Sequence, residues 1–283
     1  MKGFGVAVLM FMLLNLAITC NAQLRTGFYW GKCGKNSVEG LIRGVVQARL
    51  QRDPTVAAAL LRLQFHDCFV TGCDASLLLD GPKSEKTAFP NLSVRGYDII
   101  EEAKLLLERT CPVPKTVSCA DIIAVATRDA VFLSRGMNYR VQTGRRDGFV
   151  SSAANVNLPS PFITVKASID AFKAKGLNKT DMVLLLGAHT VGITHCPLIF
   201  NRLYNYNNTR TKDPTMKDTE FNAWSKLCPN PSSTNPKDIA TLKKNKPIAL
   251  DQTVGSIKTS RRSQRSPRHR SSFRDRPIDC WHR

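Results

Sequence analysis

LRLQFHDCFVTGCDAS, residues 61–76, joins an apolar helical pattern to a polar loop bounded by two cysteines. The longer segment DPTVAAALLRLQFHDCF, 53–69, has Asp53 as a cap, Pro54 at the first helical position, and Val56, Ala59, Leu60 and Leu63 at three- and four-residue spacing. That pattern predicts a helix with one apolar face. Arg62 and His66 are four residues apart, so such a helix points them into the same space. A fixed cation beside an imidazole can take a proton from a bound small molecule and stabilise the anion left behind. Taken alone, the pair reads equally as a histidine satisfied inside a helix interface. Cys68 lies two positions from His66 and faces elsewhere, and Cys73 follows five residues later; a bridge explains the two better than a nucleophilic thiol does. Asp67, Asp74 and Ser76, with the carbonyls around Val70 and Gly72, offer hard oxygen ligands suited to calcium, in a loop that a Cys68–Cys73 bridge would hold in shape. An acidic surface loop accounts for the same residues.

The helical period continues downstream. SCADIIAVATRDAVFLSRG has Ser118 and Asp121 spaced as a capping box and Gly136 placed to end the helix. TVKASIDAFKAKG repeats the design from Thr164 to Gly176, and TDMVLLLGAHT starts a helix that arrives at His189. The packing of that helix is expected to bury His189 as a neutral imidazole able to ligate a metal, or simply as a core histidine. His195, next to Cys196, reads as a surface residue. Strand patterns are few and short, MNYRVQTGRRDG at 137–148 being the best, and CPNPSSTNPKD is a loop.

Lys2, the apolar run VAVLMFMLLNLAIT and the small residues of CNA before Gln23 read as a secretory signal, residues 1–22, cleaved after Ala22. The run is shorter than the ~20 residues a membrane span needs, so the expectation is an extracellular chain with no membrane anchor. Cys20 leaves with the signal and eight cysteines remain, an even number that favours disulfides in a secreted protein. Of the net charge of +19, +7 falls between Ser256 and Arg283, where nine Lys and Arg face two acids. The remaining +12 suits a basic extracellular protein that meets anionic polymers such as an acidic cell wall, or a solvated basic surface. A nucleic-acid partner is excluded by the same secretory signal.

Considered together, LRLQFHDCFVTGCDAS, TVSCADIIAVATRDAV, GRRDG, NLPSPF, LLLGAHTVGITHC and DPTM through LCP follow the order and approximate spacing of the secreted plant haem peroxidases, class III, and the resemblance covers roughly Gln23 to Asp251. It implies a mainly α, two-lobed fold with haem b between distal and proximal helices. It implies that His66 is the distal base that deprotonates hydrogen peroxide and returns the proton to the leaving oxygen, that Arg62 stabilises the separating charge, and that Phe65 walls the distal pocket. Asn91 matches the asparagine that keeps the distal histidine basic; buried, it would escape glycosylation despite its NLS sequon, leaving Asn178 and Asn207 as better acceptors. His189 matches the axial haem ligand, and Pro159 the proline at the edge where aromatic donors dock. Asp67, Val70, Gly72, Asp74 and Ser76 match the distal calcium ligands, Glu85 reaching that ion through water, while Thr190 and Asp251 match part of a proximal calcium site. The bridges carried over are Cys33–Cys111, Cys68–Cys73 and Cys196–Cys228; Cys280 of the tail is available to pair with Cys119, but nothing around it resembles the family's final cysteine motif. The implied reaction reduces hydrogen peroxide and oxidises two phenolic molecules one electron at a time, with implied roles in hydrogen peroxide catabolism, the response to oxidative stress and cell-wall lignin metabolism, carried out by a monomer.

The sequence departs from that pattern in two places. Gln64 stands where many members have His, at a position expected to point away from the iron. After about Val254 the family continues with further proximal calcium ligands, more helices and a carboxylate for the proximal histidine, whereas this chain turns into SIKTSRRSQRSPRHRSSFRDRPIDCWHR, rich in Arg and Ser and without period. The expected organisation is therefore a signal at 1–22, a C-terminally incomplete peroxidase domain at 23–255 and a disordered basic tail at 256–283. The competing reading from the same residues is a catalytically inactive peroxidase-like protein that binds cell-wall polyanions.

Overall fold

The computed structural model describes residues 24–233 and the backbone of 248–249; the expected signal, the basic tail, Asp251 and Cys280 lie outside the described residues. The chain is mainly α-helical and divides into two compact units, the first ending at Ile163 and the second beginning at Thr164.

The first unit contains α1 (Val38–Arg52), α2 (Val56–Cys68), α3 (Tyr97–Thr110) and α4 (Cys119–Leu133), with a two-residue antiparallel ribbon of β1 (Arg25–Thr26) and β2 (Gln142–Thr143). Helix α4 is its centre: α1, α2 and α3 all pack on it, and every residue from Cys119 to Ala130 is buried. A helix buried around its whole circumference must be apolar or have its polar groups partnered. Its buried polar side chains are partnered across the core. Thr127 donates to the Leu60 carbonyl at 3.1 Å, Arg128 pairs with Glu39 at 2.8 Å, and Asp129 pairs with Arg43 at 3.0 Å. Val56, Leu60 and Leu63 of α2 bury against this core, as their spacing predicts.

The entry to α2 keeps Asp53 in its expected capping role. Asp53 terminates α1, its amide donating to the Arg49 carbonyl, and its carboxylate accepts from both the amide (2.9 Å) and hydroxyl (2.6 Å) of Thr55. Regular helix begins at Val56, and the turn that leads into it has Pro54 first, the Thr55 amide capped by the Asp53 carboxylate and the Val56 amide donating to the Asp53 carbonyl at 3.2 Å. The box at the start of α4 is half present. Ser118 accepts from the Asp121 amide at 3.2 Å, but the Asp121 carboxylate is drawn away to the Tyr29 hydroxyl (2.7 Å), the Gly144 amide (2.6 Å) and the Arg145 guanidinium (2.9 Å). The Tyr29 hydroxyl instead accepts from the Ser118 amide at 3.3 Å, relaying the missing bond. Burial, then Asp121, pushes the Tyr29 phenol well above its ordinary range.

The second unit contains α5 (Val165–Ala174), α6 (Lys179–Leu186), α7 (Phe200–Tyr204) and α8 (Asp218–Leu227), with β3 (Ile193–Thr194) paired antiparallel to β4 (Ile248–Ala249). Phe172 of α5 and Met182 of α6 are buried, and α5 and α6 pack together. Asn178 caps α6 through a reciprocal box with Asp181, at 3.0 Å and 2.8 Å, which the sequence reading passed over in favour of its sequon. Asp213 ties the loop after α7 by accepting from Arg202 at 2.9 Å and from the Thr215 amide at 2.8 Å. The bridges Cys33–Cys111, Cys68–Cys73 and Cys196–Cys228 all form. Cys119 is buried in the first turn of α4; its expected pairing with Cys280 lies outside the described residues. Among the described residues no helix is long and apolar enough to cross a membrane.

Candidate active site

Helix α2 carries Arg62 and His66 one turn apart, and Arg62 Nε donates to His66 Nε2 at 3.2 Å. The guanidinium is also clamped by the short helical turn Phe89–Asn91 and its neighbour, donating to the Pro90 carbonyl (2.9 Å), the Ser93 carbonyl (3.0 Å) and the Ser93 hydroxyl (3.0 Å). Asn91 lies in the same turn, 2% exposed. Its Nδ2 donates to the Glu85 carbonyl at 2.8 Å, which orients the amide so that Oδ1 faces His66 Nδ1 at 2.7 Å. An amide oxygen only accepts, so the imidazole proton sits on Nδ1 and Nε2 presents a lone pair beside Arg62. Phe65 stacks edge-on to His66, with ring centroids 6.1 Å apart. Gln64 is half-buried. Ser93 and the Pro90 carbonyl were missed from the sequence; a backbone acceptor leaves no signature in residue types.

Below this pair lies the clipped acidic loop. Asp67, the penultimate residue of α2, is buried and accepts from the Ala75 amide at 3.0 Å and the Leu77 amide at 3.4 Å. Asp74 accepts from the Ser76 amide at 3.1 Å, and the Ser76 hydroxyl is 3.1 Å from that of Thr71. Glu85 is fully buried, and neither of its carboxylate oxygens has a hydrogen-bonding partner among the described residues. Burial raises the carboxyls of both Asp67 and Glu85, that of Asp67 to about 7, with Asp74 adding to each; the Ala75 amide opposes the shift at Asp67. Three acids directed at one loop with a buried unsatisfied carboxylate form a donor set short of a positive charge, and hard oxygens of this kind fit calcium. Gly148, the last residue of GRRDG, seats the loop. Its amide donates to the Asp74 carbonyl at 2.7 Å, and a Cβ there would overlap the Asp74 carboxylate. Asp147, beside it, accepts from the Cys119 (3.0 Å) and Ala120 (2.9 Å) amides, so one motif braces both the loop and the start of α4.

In the second unit α6 ends at Leu186, and His189 follows in a single tight turn, Gly187–Thr190. The expectation that packing buries His189 is corrected: it is exposed, as are Val183 to Leu186 before it, because α6 buries only Met182. His189 Nδ1–H donates to the Leu186 carbonyl at 3.1 Å, which leaves a lone pair on Nε2. An accessible imidazole held from its far nitrogen is the donor that an iron takes. The Thr190 hydroxyl donates to the Gly187 carbonyl at 2.8 Å. Pro159 is half-buried in an irregular stretch of the first unit, and His195 is exposed. Among the described residues no group of three or more His, Cys, Asp and Glu side chains is placed to hold a metal ion together.

The chain matches a family model described as Peroxidase over residues 42–256. It is 49% identical to Peroxidase 60 of Arabidopsis thaliana over 256 residues, covering 90% of this chain and 73% of that protein. It is 44% identical to Peroxidase 27 of the same plant over 253 residues, 88% of this chain and 73% of that protein. Peroxidase 44, also from Arabidopsis thaliana, is 50% identical over 219 residues, 76% of this chain and 68% of that protein.

Proposed function

This chain belongs to the plant class III peroxidases, oxidoreductases that use hydrogen peroxide and phenolic donors, and from that premise we propose that α2 carries its peroxide-cleaving machinery and His189 its haem. Bound haem supplies the oxygen and electron chemistry. His66 Nε2 takes the proton of hydrogen peroxide, and the Arg62 guanidinium stabilises the anion that this creates. The protonated Nε2 then hands the proton to the departing oxygen, so that it leaves as water rather than hydroxide. Asn91 makes this possible by keeping the other imidazole proton on Nδ1. The observation that carries the reading is the 2.7 Å contact of His66 Nδ1 with Asn91 Oδ1, since it leaves the base on the nitrogen beside Arg62.

His189 Nε2 would hold the iron of a haem b, Phe65 would wall the peroxide side, and Pro159 would line the edge where phenols are met. Asp67, Val70, Gly72, Asp74 and Ser76 would hold one calcium ion, Glu85 through water, and so pin the C-terminal end of α2. Thr190 belongs to a second, incomplete calcium site whose other assigned ligand, Asp251, lies outside the described residues. The protein would act as a secreted cell-wall monomer. The test is to prepare the full chain with haem and calcium, record its Soret band and assay guaiacol oxidation. His66→Ala should keep the Soret band and lose at least about 100-fold in turnover, whereas His189→Ala should lose the haem. Full turnover by His66→Ala, or an unchanged Soret band in His189→Ala, would overturn these assignments.

A further inference from the structure

The glycine-rich turn Gly27–Lys35 is tied down at several points and yet displays an aromatic ring to solvent. Gly27, Gly31 and Gly34 take left-handed backbone angles (φ +72°, +75° and +60°), and the Trp30 and Lys32 amides close successive turns on the Gly27 and Tyr29 carbonyls at 3.0 Å each. Tyr29 and Cys33 anchor the turn, one through Asp121 and the other through its bridge to Cys111. Between those anchors Trp30 stands 94% exposed. An indole held outward on an immobilised turn loses little conformational freedom on meeting a flat partner.

The surroundings are cationic. Residues 24–38 contain Arg25, Lys32 and Lys35 and no acid, and the loop bridged to them, 112–116, adds exposed Lys115 and exposed Val113. Lys32 Nζ lies 3.3 Å from the centre of the Phe28 ring and Arg25 faces the same ring at 5.6 Å, which holds both cations at this turn. Among the described residues none of these four cations forms an ion pair. Cations alone would suit any polyanion, and an indole alone any flat apolar face; their combination on one rigid turn suits a chain of sugar rings that bear carboxylates.

We propose that this turn is a docking site for an acidic polysaccharide of the uronate type, with Trp30 stacking on a sugar face and Lys32, Lys35 and Lys115 meeting its carboxylates. The site uses none of the groups assigned to peroxide cleavage, so it stands or falls separately from that activity. The test titrates the full-length holoprotein calorimetrically with oligogalacturonate, its methyl ester and inorganic polyphosphate, a polyanion without sugar rings. Trp30→Ala should weaken oligogalacturonate binding about tenfold while polyphosphate binding changes by less than about twofold. Lys32→Gln with Lys35→Gln should weaken both and flatten the dependence on salt, and the methyl ester should bind the unaltered protein far more weakly than the acid. Because Trp30 is exposed, its variant should melt and turn over guaiacol as the parent does. Unchanged oligogalacturonate binding by Trp30→Ala would overturn the proposal, as would equal binding of acid and methyl ester, or an equal loss toward polyphosphate.

Discussion

At the scale of single residues, Asp67 couples the reactive helix to its supporting loop. Its carboxyl is raised from 3.8 to about 7, first by burial and then by Asp74 and Glu85, against the pull of the Ala75 and Leu77 amides. In the unfolded chain the same group ionises near its ordinary value, so without calcium the folded state holds a proton that the unfolded state has released. That contribution to stability is fully present below the unfolded value and is lost as pH rises through about 7. Glu85 shifts in the same direction. Calcium held at the proposed site would reverse the balance, because it would bind the ionised carboxylates. With the ion chelated, the melting temperature should fall by several degrees between about pH 5 and about pH 8, and added calcium should restore more at the higher pH. Asp67→Asn should flatten this pH dependence and blunt the calcium response. Thermal melts that rise with pH in chelator, or gain equally from calcium at both values, would sink the assignment.

At the scale of elements, two helix ends show one motif achieved in two ways. Helix α5 closes with Gly176 left-handed (φ +75°), its amide on the Lys173 carbonyl and the Leu177 amide on that of Phe172, both 3.0 Å. Helix α4 closes with the same pair of bonds, but Arg135 is the left-handed residue (φ +71°) and Gly136 follows it, donating to the Val131 carbonyl at 2.8 Å. Gly136 is required there by space, not by its φ, since a Cβ would sit 2.5 Å from Val131 Cγ1 and 2.8 Å from its carbonyl oxygen. Gly136→Ala should therefore destabilise by about 1–3 kcal/mol, while Arg135→Gly should be neutral or stabilising by up to about 1 kcal/mol. Denaturant midpoints measured for both variants check the pair, and a harmless Gly136→Ala would contradict the packing described.

At the scale of the whole molecule, the bridges do unequal work. Cys33–Cys111 spans 78 residues of sequence and Cys68–Cys73 only five. Loop closure in the unfolded chain grows with span, so removing the long bridge as Cys33→Ala with Cys111→Ala should cost about 4 kcal/mol, a large share of the ~5–15 kcal/mol that holds a protein folded. Removing the short one should cost less stability and more calcium affinity, because it shapes the acidic loop without enclosing the core. Melting and calcium titration of the two double variants separate these effects, and an equal stability loss would contradict the entropic account. The long bridge also ties the basic, tryptophan-bearing turn to the core at Cys111, so its loss should loosen that surface as well.

Much of this was legible in residue order. The apolar spacing of Val56, Leu60 and Leu63 determined which face of α2 is buried, the four-residue step determined that Arg62 and His66 meet, and the order of the two histidine motifs determined the family. The cysteine pairings inside the described residues followed from that resemblance. Residue types misled wherever a side chain had a choice of partners. Asp121 could complete a capping box or serve Tyr29, Gly144 and Arg145, and the tertiary contacts won. His189 followed an apolar run that promised burial, yet only Met182 of that helix is buried. The clamp on Arg62, the seat that Gly148 makes for the acidic loop and the outward display of Trp30 arise from backbone carbonyls, missing Cβ atoms and turns closed by distant anchors. Spacing along a helix is a local property and is written in the sequence, whereas the choice among competing hydrogen-bond partners depends on which groups the folded chain brings within reach.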